Sequence, residues 1–380
     1  MPPAPMWWLS RLRSDAIELD RERVGGLDPG ANKVEWRVMF TPIRTKRLLI
    51  RPFRSDDAAG LAKRRNDPTV AKYQNWTLPF TIERAEKLVS ELVVMEGPEN
   101  EQWWMAIVAD ADSGETLGDL ALHLSWERRT AEVGYTFSTA HWGHGYAVEA
   151  LTALIEYLFE VVGVTRVFGM LHPDNPASAM VLERAGLLFE GHTKLSFWLG
   201  DEVSDDWIYG LTRPDWEAWR TRPLNPPEEV ALVEVTIENE RVVAKLKTHK
   251  TQESFVAPME WSFADALFPE VVDGAPVVPW MRAVTADGEI VGFVMLALTT
   301  EHHPEPYLWR LLIDRRHQRR GIGGRVLDLI ADECRKMGDK TLLTSWTEGK
   351  GSPRPFYLAH GFVPTGRIID DETEARKQLG

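Results

Sequence analysis

The sequence holds a single cysteine, Cys334. One thiol closes no disulfide within the chain and builds no cysteine-rich metal site. Long apolar runs are missing too. The stretch most like a membrane span, Ile290–Leu298 (IVGFVMLAL), is nine residues long, against the roughly 20 a spanning helix needs, and it reads as a buried strand. The opening residues MPPAPMWWLSRLRSDAIELDRERV lack the apolar centre of a secretory signal and bring acids early, so the cytoplasm is the expected compartment and no membrane partner is expected. Positive charge is in deficit: 44 Lys and Arg stand against 57 Asp and Glu, a formal charge of −13. That disfavours a nucleic-acid backbone as partner and suits cationic molecules such as amines. His302-His303 and the pair His141/His144 have no third partner at metal-ligand spacing, so no metal is expected.

What is present has the length of two domains, 380 residues with 44% hydrophobic and 27% charged. Residues 1–40 mix Pro, Gly and charge without a sustained period and read as a poorly ordered extension, with Met39 offering a second start. A first domain is expected over 41–219, a proline-rich linker over 220–229, and a second domain over 230–380. Strands are read at Arg47–Phe53, Trp103–Val108, Leu117–Leu124, Glu132–Phe137 and Arg166–Leu171, then at Lys194–Trp198 and Trp207–Leu211. Helices are read through Arg65 after the acidic Ser55-Asp56-Asp57, over Tyr146–Phe159 and over Ala177–Ala185. The order then recurs. Strands are read at Val230–Thr236, Met281–Val284, Glu289–Leu298, Tyr307–Ile313 and Thr341–Trp346, with helices at Glu253–Leu267, Gly323–Met337 and Pro353–His360.

Both halves carry a strand, a glycine turn, a long helix, a strand, a short helix, and a Gly followed by an apolar residue. The turn and the later glycine are Gly143 and Gly186, 43 residues apart, in the first half. In the second they are Gly321 and Gly361, 40 apart. A unit of this size met twice is a duplicated domain. The sharper turn is Gln318-Arg319-Arg320-Gly321-Ile322-Gly323. Glycines let the backbone turn its N–H groups inward. With the positive end of the following helix they cradle a pyrophosphate, and arginines can pair with further phosphates. The chain Phe356–Phe362 (FYLAHGF) follows 33 residues after Gly323.

On these motifs the chain resembles two Gcn5-related N-acetyltransferase (GNAT) domains in tandem. TKRLLIRPF (Thr45–Phe53), AEVGY (Ala131–Tyr135), HWGHGYAVEA (His141–Ala150) and NPASAMVLERAGL (Asn175–Leu187) resemble the branch that acetylates N-terminal alanines of ribosomal proteins. YLWRLLID (Tyr307–Asp314), QRRGIGG (Gln318–Gly324) and FYLAHGFVPTG (Phe356–Gly366) resemble the spermine/spermidine acetyltransferase-like branch. The resemblance implies an α/β (α+β) fold, each domain a mostly antiparallel sheet with a splayed central parallel pair flanked by helices. It implies acetyl-CoA as co-substrate and direct transfer to a primary amine: a polyamine, an aminoglycoside-like molecule, or a peptide N-terminus. Either a monomer whose tandem domains imitate a dimer or a homodimer is expected. A second reading keeps one domain catalytic and the other a structural or acyl-CoA-sensing partner.

The resemblance also implies site residues. Trp142, Gly143, His144, Gly145 and Tyr146, and Gln318, Arg319, Arg320, Gly321, Ile322 and Gly323, fall in the pyrophosphate turns. Tyr357, four residues before Gly361, takes the place of the tyrosine that protonates the leaving thiolate. Its counterpart in the first half is Leu182, which has no proton to give. There Asn175 resembles a CoA-holding asparagine, and Ser178 the alternative proton donor. An alkylamine must lose a proton before it attacks. Glu132, on the strand before the first glycine turn, is the expected base, and Glu372 is expected to bind or deprotonate a cationic substrate. Arg310 stands where Glu132 would be expected in the second half.

Overall fold

The computed structural model describes residues 39–272 and 274–380. The expected extension up to residue 38 lies outside the described residues. The chain divides into two compact units after Arg213, so 214–219, expected at the end of the first domain, group with the second. Among the described residues no helix is long and apolar enough to cross a membrane.

The first unit is built on an eight-stranded sheet. Its strands are β1 (Ile43–Arg44), β2 (Leu48–Pro52), β3 (Trp103–Asp110), β4 (Thr116–Ser125), β5 (Thr130–Phe137), β6 (Arg166–Leu171), β7 (Leu188–Leu199) and β8 (Glu202–Thr212), in the order 1-2-3-4-5-6-8-7. The described pairs are antiparallel except β5–β6, which is parallel and short: Thr130 faces Arg166, Ala131 faces Val167, Glu132 faces Phe168, and there the pairing ends. Helices α1 (Ala58–Arg65), α2 (Pro68–Ala71) and α3 (Ile82–Val93) precede β3. The sequence reading passed over α3, although Thr81 caps it by accepting from the Arg84 N–H. Ala85, Val89 and Leu92 form its buried stripe and pack with Leu61, Phe80 and Ile107. Helix α4 (Tyr146–Tyr157) buries Ala150, Leu151, Leu154 and Ile155, the stripe its period predicts. Helix α5 (Pro176–Arg184) lies between β6 and β7, and α6 (Arg213–Arg220) follows β8.

The second unit has a seven-stranded sheet of β9 (Val230–Glu234), β12 (Pro279–Ala286), β13 (Glu289–Ala297), β14 (Tyr307–Ile313), β15 (Thr341–Trp346), β16 (Val363–Ile369) and β17 (Glu372–Gln378), in the order 16-17-15-14-13-12-9. The ribbon β10 (Val271–Val272) with β11 (Ala275–Pro276) stands apart, and helices α7 (Glu240–Val243), α8 (Met259–Leu267), α9 (Ile322–Met337) and α10 (Arg354–Ala359) complete the unit. The parallel pair is again short, Tyr307 facing Leu343 and Leu308 facing Thr344. Two expectations change. The helix expected from Glu253 begins only at Met259, with Pro258 as its extended N-cap; a residue before proline is steered out of the helical region. Beyond His360, where the sequence is read as holding no element, the chain forms the hairpin β16–β17, with β17 paired along β15. Cys334 is fully buried in the α9 core, and burial pushes its thiol up to about 12, so it is chemically quiet.

A buried ion pair ties helix to sheet in the first unit. Arg64 of α1 donates through Nε to Asp119 Oδ2 of β4 at 2.9 Å, and both side chains are 2% exposed. Breaking such a pair leaves a charge buried alone. Asp119→Ala is expected to cost about 3–5 kcal/mol in the unfolding transition of this unit in urea, and the double change Arg64→Met/Asp119→Leu clearly less.

Candidate functional site

In each unit the long helix starts at a glycine in the left-handed region: Gly145 with φ +78° for α4 and Gly321 with φ +75° for α9. An L side chain is strained in that conformation. The first N–H groups of each helix have no intrahelical acceptor, so they form the donor cradle that an anion fits.

Around the first cradle the side chains are held tightly. Arg47, just before β2, donates through Nη1 to the His144 carbonyl at 2.9 Å and through Nε to Glu149 Oε2 at 2.7 Å, and its guanidinium lies 4.6 Å over the Tyr146 ring. Glu149 also accepts from the Thr45 hydroxyl at 2.6 Å and the Arg47 N–H at 3.0 Å. Burial alone would lift the Glu149 carboxyl, but these donors outweigh it and hold it below its usual range. Thr45, Arg47 and Glu149 were quoted in the sequence motifs without a role; they fix the turn. His144 stacks on Tyr146 at 5.7 Å. Trp142 is 48% exposed and donates its indole N–H to the Phe137 carbonyl at 2.8 Å.

Next to the parting strands the first unit gathers Ser178 and a residue with no assigned role. Asn175 is the N-cap of α5; its Oδ1 accepts from the Ser178 N–H at 3.2 Å. The carbonyl of Asn175 is therefore committed, and only its amide donors are left for a ligand. The Tyr135 hydroxyl reaches from β5 to the Ser178 carbonyl and to Ser178 Oγ, both at 2.8 Å. Burial drives the Tyr135 phenol far above its ordinary value. Leu182 is buried, as its apolar side chain requires. Glu132 is half-buried at the last paired position of β5, facing His123 of β4 on its other side. His123 lies against Trp103 at 5.3 Å between ring centres, and burial lowers its imidazole, leaving it neutral at pH 7.

In the second unit the parts converge on one cavity of about 1330 Å³, lined among others by Gln318, Arg319, Gly321, Ile322, Gly323, Tyr307, Thr344, Tyr357 and Glu372. Tyr357 is 8% exposed, stacked on Trp346 at 5.9 Å and edge-on to Phe362 at 5.4 Å. Burial pushes its phenol up to about 12, against a hydrogen bond with Thr344 that pulls the other way. It stays protonated at neutral pH and has a proton to give. Glu372 opens β17. Its Oε2 accepts from the Ser345 hydroxyl and its Oε1 from the Thr347 hydroxyl at 3.2 Å. Both partners are neutral hydroxyls, which hold the carboxylate on the cavity wall without adding positive charge. Nearby Glu305 is compensated by Arg376, whose Nε and Nη2 donate at 2.9 and 2.7 Å.

Two second-unit expectations need correcting. The Arg320 side chain does not serve the turn: it is buried, donating to the Asn225 carbonyl at 2.8 Å and bonded to His317 Nδ1 at 3.0 Å. Only its backbone is left for a phosphate, whereas Arg319 lines the cavity. Gln318 binds the Ile313 carbonyl at 3.0 Å and Gln252 Oε1 at 2.9 Å, which makes it a brace of the turn. Arg310, matched to Glu132 by its distance from the turn, is not at the parting point. A bulge next to Leu308 shifts the register, and Leu308 is the last paired residue. Arg310 bonds Asp265 at 2.9 Å.

The chain is similar to known proteins. The family model described as "Acetyltransferase (GNAT) domain" matches residues 47–188, and that described as "Acetyltransferase (GNAT) family" matches 213–362. The N-acetyltransferase YnaD of Bacillus subtilis is 29% identical over 177 residues, 46% of this chain and 98% of its own. The N-acetyltransferase p20 of Bacillus licheniformis is 32% identical over 151 residues, 39% of this chain and 82% of its own. The [ribosomal protein uS5]-alanine N-acetyltransferase of Escherichia coli is 32% identical over 88 residues, 23% of this chain and 45% of its own. A GNAT-family acetyltransferase structure from Bacillus anthracis aligns at TM-score 0.42 with 27% identity, over 45% of this chain and 98% of that one. With both halves matched, the protein belongs to the GNAT family, an N-acetyltransferase with acetyl-CoA as its acyl donor and two such domains in tandem.

Proposed function

We propose that the second unit acetylates a primary amine on a small cationic molecule, of polyamine or aminoglycoside-like chemistry, and that the first unit acetylates a peptide α-amine. The observation that carries the reading is the second-unit cavity, where the glycine turn, the buried phenol of Tyr357 and the carboxylate of Glu372 line one space. Holding thioester and amine together there removes much of the entropic barrier. Glu372 attracts the ammonium form and takes its proton, directly or through water. The amine attacks the thioester carbon, the carbon–sulfur bond breaks, and Tyr357 supplies the proton the departing sulfur needs. The turn N–H groups, with Arg319, hold the pyrophosphate. Glu132 serves as base in the first unit, with neutral His123 beside it. The likeness to the uS5-alanine N-acetyltransferase supports a peptide α-amine as one substrate of the chain.

The test is steady-state acetylation of spermidine, an aminoglycoside and an alanine-initiated peptide by the intact chain. Tyr357→Phe is expected to lower kcat for the cationic small molecules by about 10²–10⁴-fold with little change in KM, and to spare the peptide. Glu372→Gln is expected to raise KM for the cations more than for a neutral amine. The reading fails if neither variant separates the two substrate classes. With the Tyr357 phenol raised to about 12, the group stays protonated through the working range. The second-unit rate should therefore climb as the amine deprotonates between pH 7 and 10, without an alkaline fall; a fall near pH 9 in the rate profile would remove Tyr357 as the acid.

A further inference from the structure

The first unit has leucine where the second has its tyrosine, yet a phenol reaches the same short helix from the opposite side. Tyr135 projects from β5, three residues beyond the last one paired to β6, and touches the first turn of α5. The second-unit residue at the same distance before the glycine turn is Ile313. The phenol against the short helix thus comes from the strand in the first unit, whereas in the second Tyr357 belongs to the helix itself.

The hydrogen bonds say what the phenol does. A carbonyl only accepts, so the contact at 2.8 Å to the Ser178 carbonyl uses the single Tyr135 proton. The Ser178 hydroxyl, also 2.8 Å away, then donates to the phenol oxygen. The Ser178 backbone is held in place, its N–H donating to Asn175 Oδ1 at 3.2 Å.

We infer that Tyr135 is a positioning residue for Ser178, and that the two hydroxyls form the hydrogen-bond-donating pair for the sulfur of CoA in the first unit. The inference rests on the acetyltransferase reading of that unit. When the carbon–sulfur bond of the thioester breaks, its electron pair goes to sulfur. The Ser178 hydroxyl turns from Tyr135 to donate a hydrogen bond to that sulfur, and the Tyr135 hydroxyl turns from the carbonyl to donate to Ser178 Oγ. Neither hydroxyl gives up its proton: CoA parts as a thiolate held by the pair and takes its proton from solvent on release. Tyr135 touches Ser178, so it acts through serine.

The pair can be read without knowing the amine. The intact chain carrying Gly323→Glu, which fills the second cradle, is titrated calorimetrically with CoA and with desulfo-CoA between pH 7 and 9.5. If the two hydroxyls donate to sulfur, they stabilise thiolate. CoA then tightens relative to desulfo-CoA as the pH rises, about ten-fold for each unit by which the bound thiol is lowered. Ser178→Ala is expected to abolish the difference, Ser178→Thr to keep it, and Tyr135→Phe to shrink it at least three-fold while leaving desulfo-CoA affinity unchanged. Identical pH profiles for CoA and desulfo-CoA, or a difference that survives in both Ser178→Ala and Tyr135→Phe, would overturn the inference alone. Binding of neither compound would overturn the acetyltransferase reading of this unit, and the inference with it.

Discussion

Both units depend on the brevity of one parallel strand pair. Backbone N–H and C=O groups in a sheet are ordinarily satisfied by the neighbouring strand. Here β5 and β6 stay together for three residue pairs and β14 and β15 for two. Beyond that point the ladder between the two strands stops and a slot opens between them. An extended, amide-bearing ligand can fill such a slot as an added strand. The glycine turn at one end of the slot and the hydroxyl-bearing short helix beside it take their meaning from that opening.

The two units bring hydroxyls to this junction with different residues. In the second, burial keeps the Tyr357 phenol protonated at neutral pH, packed between Trp346 and Phe362. In the first unit Leu182 fills the corresponding place, and the hydroxyls come from Ser178 and Tyr135. The carboxylates differ too. In the second unit Glu372 is held by two neutral hydroxyls, while Glu305 is paired with Arg376. Hydrogen bonding without charge compensation is what makes a carboxylate available to a cation.

The glycine turns are supported from outside by side chains bonded to the protein itself. Arg47, Thr45 and Glu149 lock the first. Gln318, bonded to Ile313 and Gln252, and Arg320, bonded to Asn225 and His317, lock the second. A cradle of backbone donors is useful only if it is already formed when the anion arrives, since ordering it on binding would subtract from affinity.

The sequence by itself determined the duplication, the fold class, the long helices with their buried stripes, and the two glycine turns. These are local signals: period, spacing, and residues that tolerate left-handed backbone. It also placed Tyr357, because that residue sits at a fixed distance from Gly361 within one helix and turn. The tertiary structure decided whatever depended on long-range pairing. Glu372 is matched in the sequence only by resemblance; it is the pairing of β17 along β15 that carries it to the cavity wall. Arg320 reads as a phosphate ligand until the fold closes Asn225 and His317 around it. Tyr135 reads as one more strand aromatic until α5, 43 residues later, brings Ser178 to its hydroxyl. Spacing along the chain says nothing about such contacts, because packing between sheet and helices sets which side chains meet.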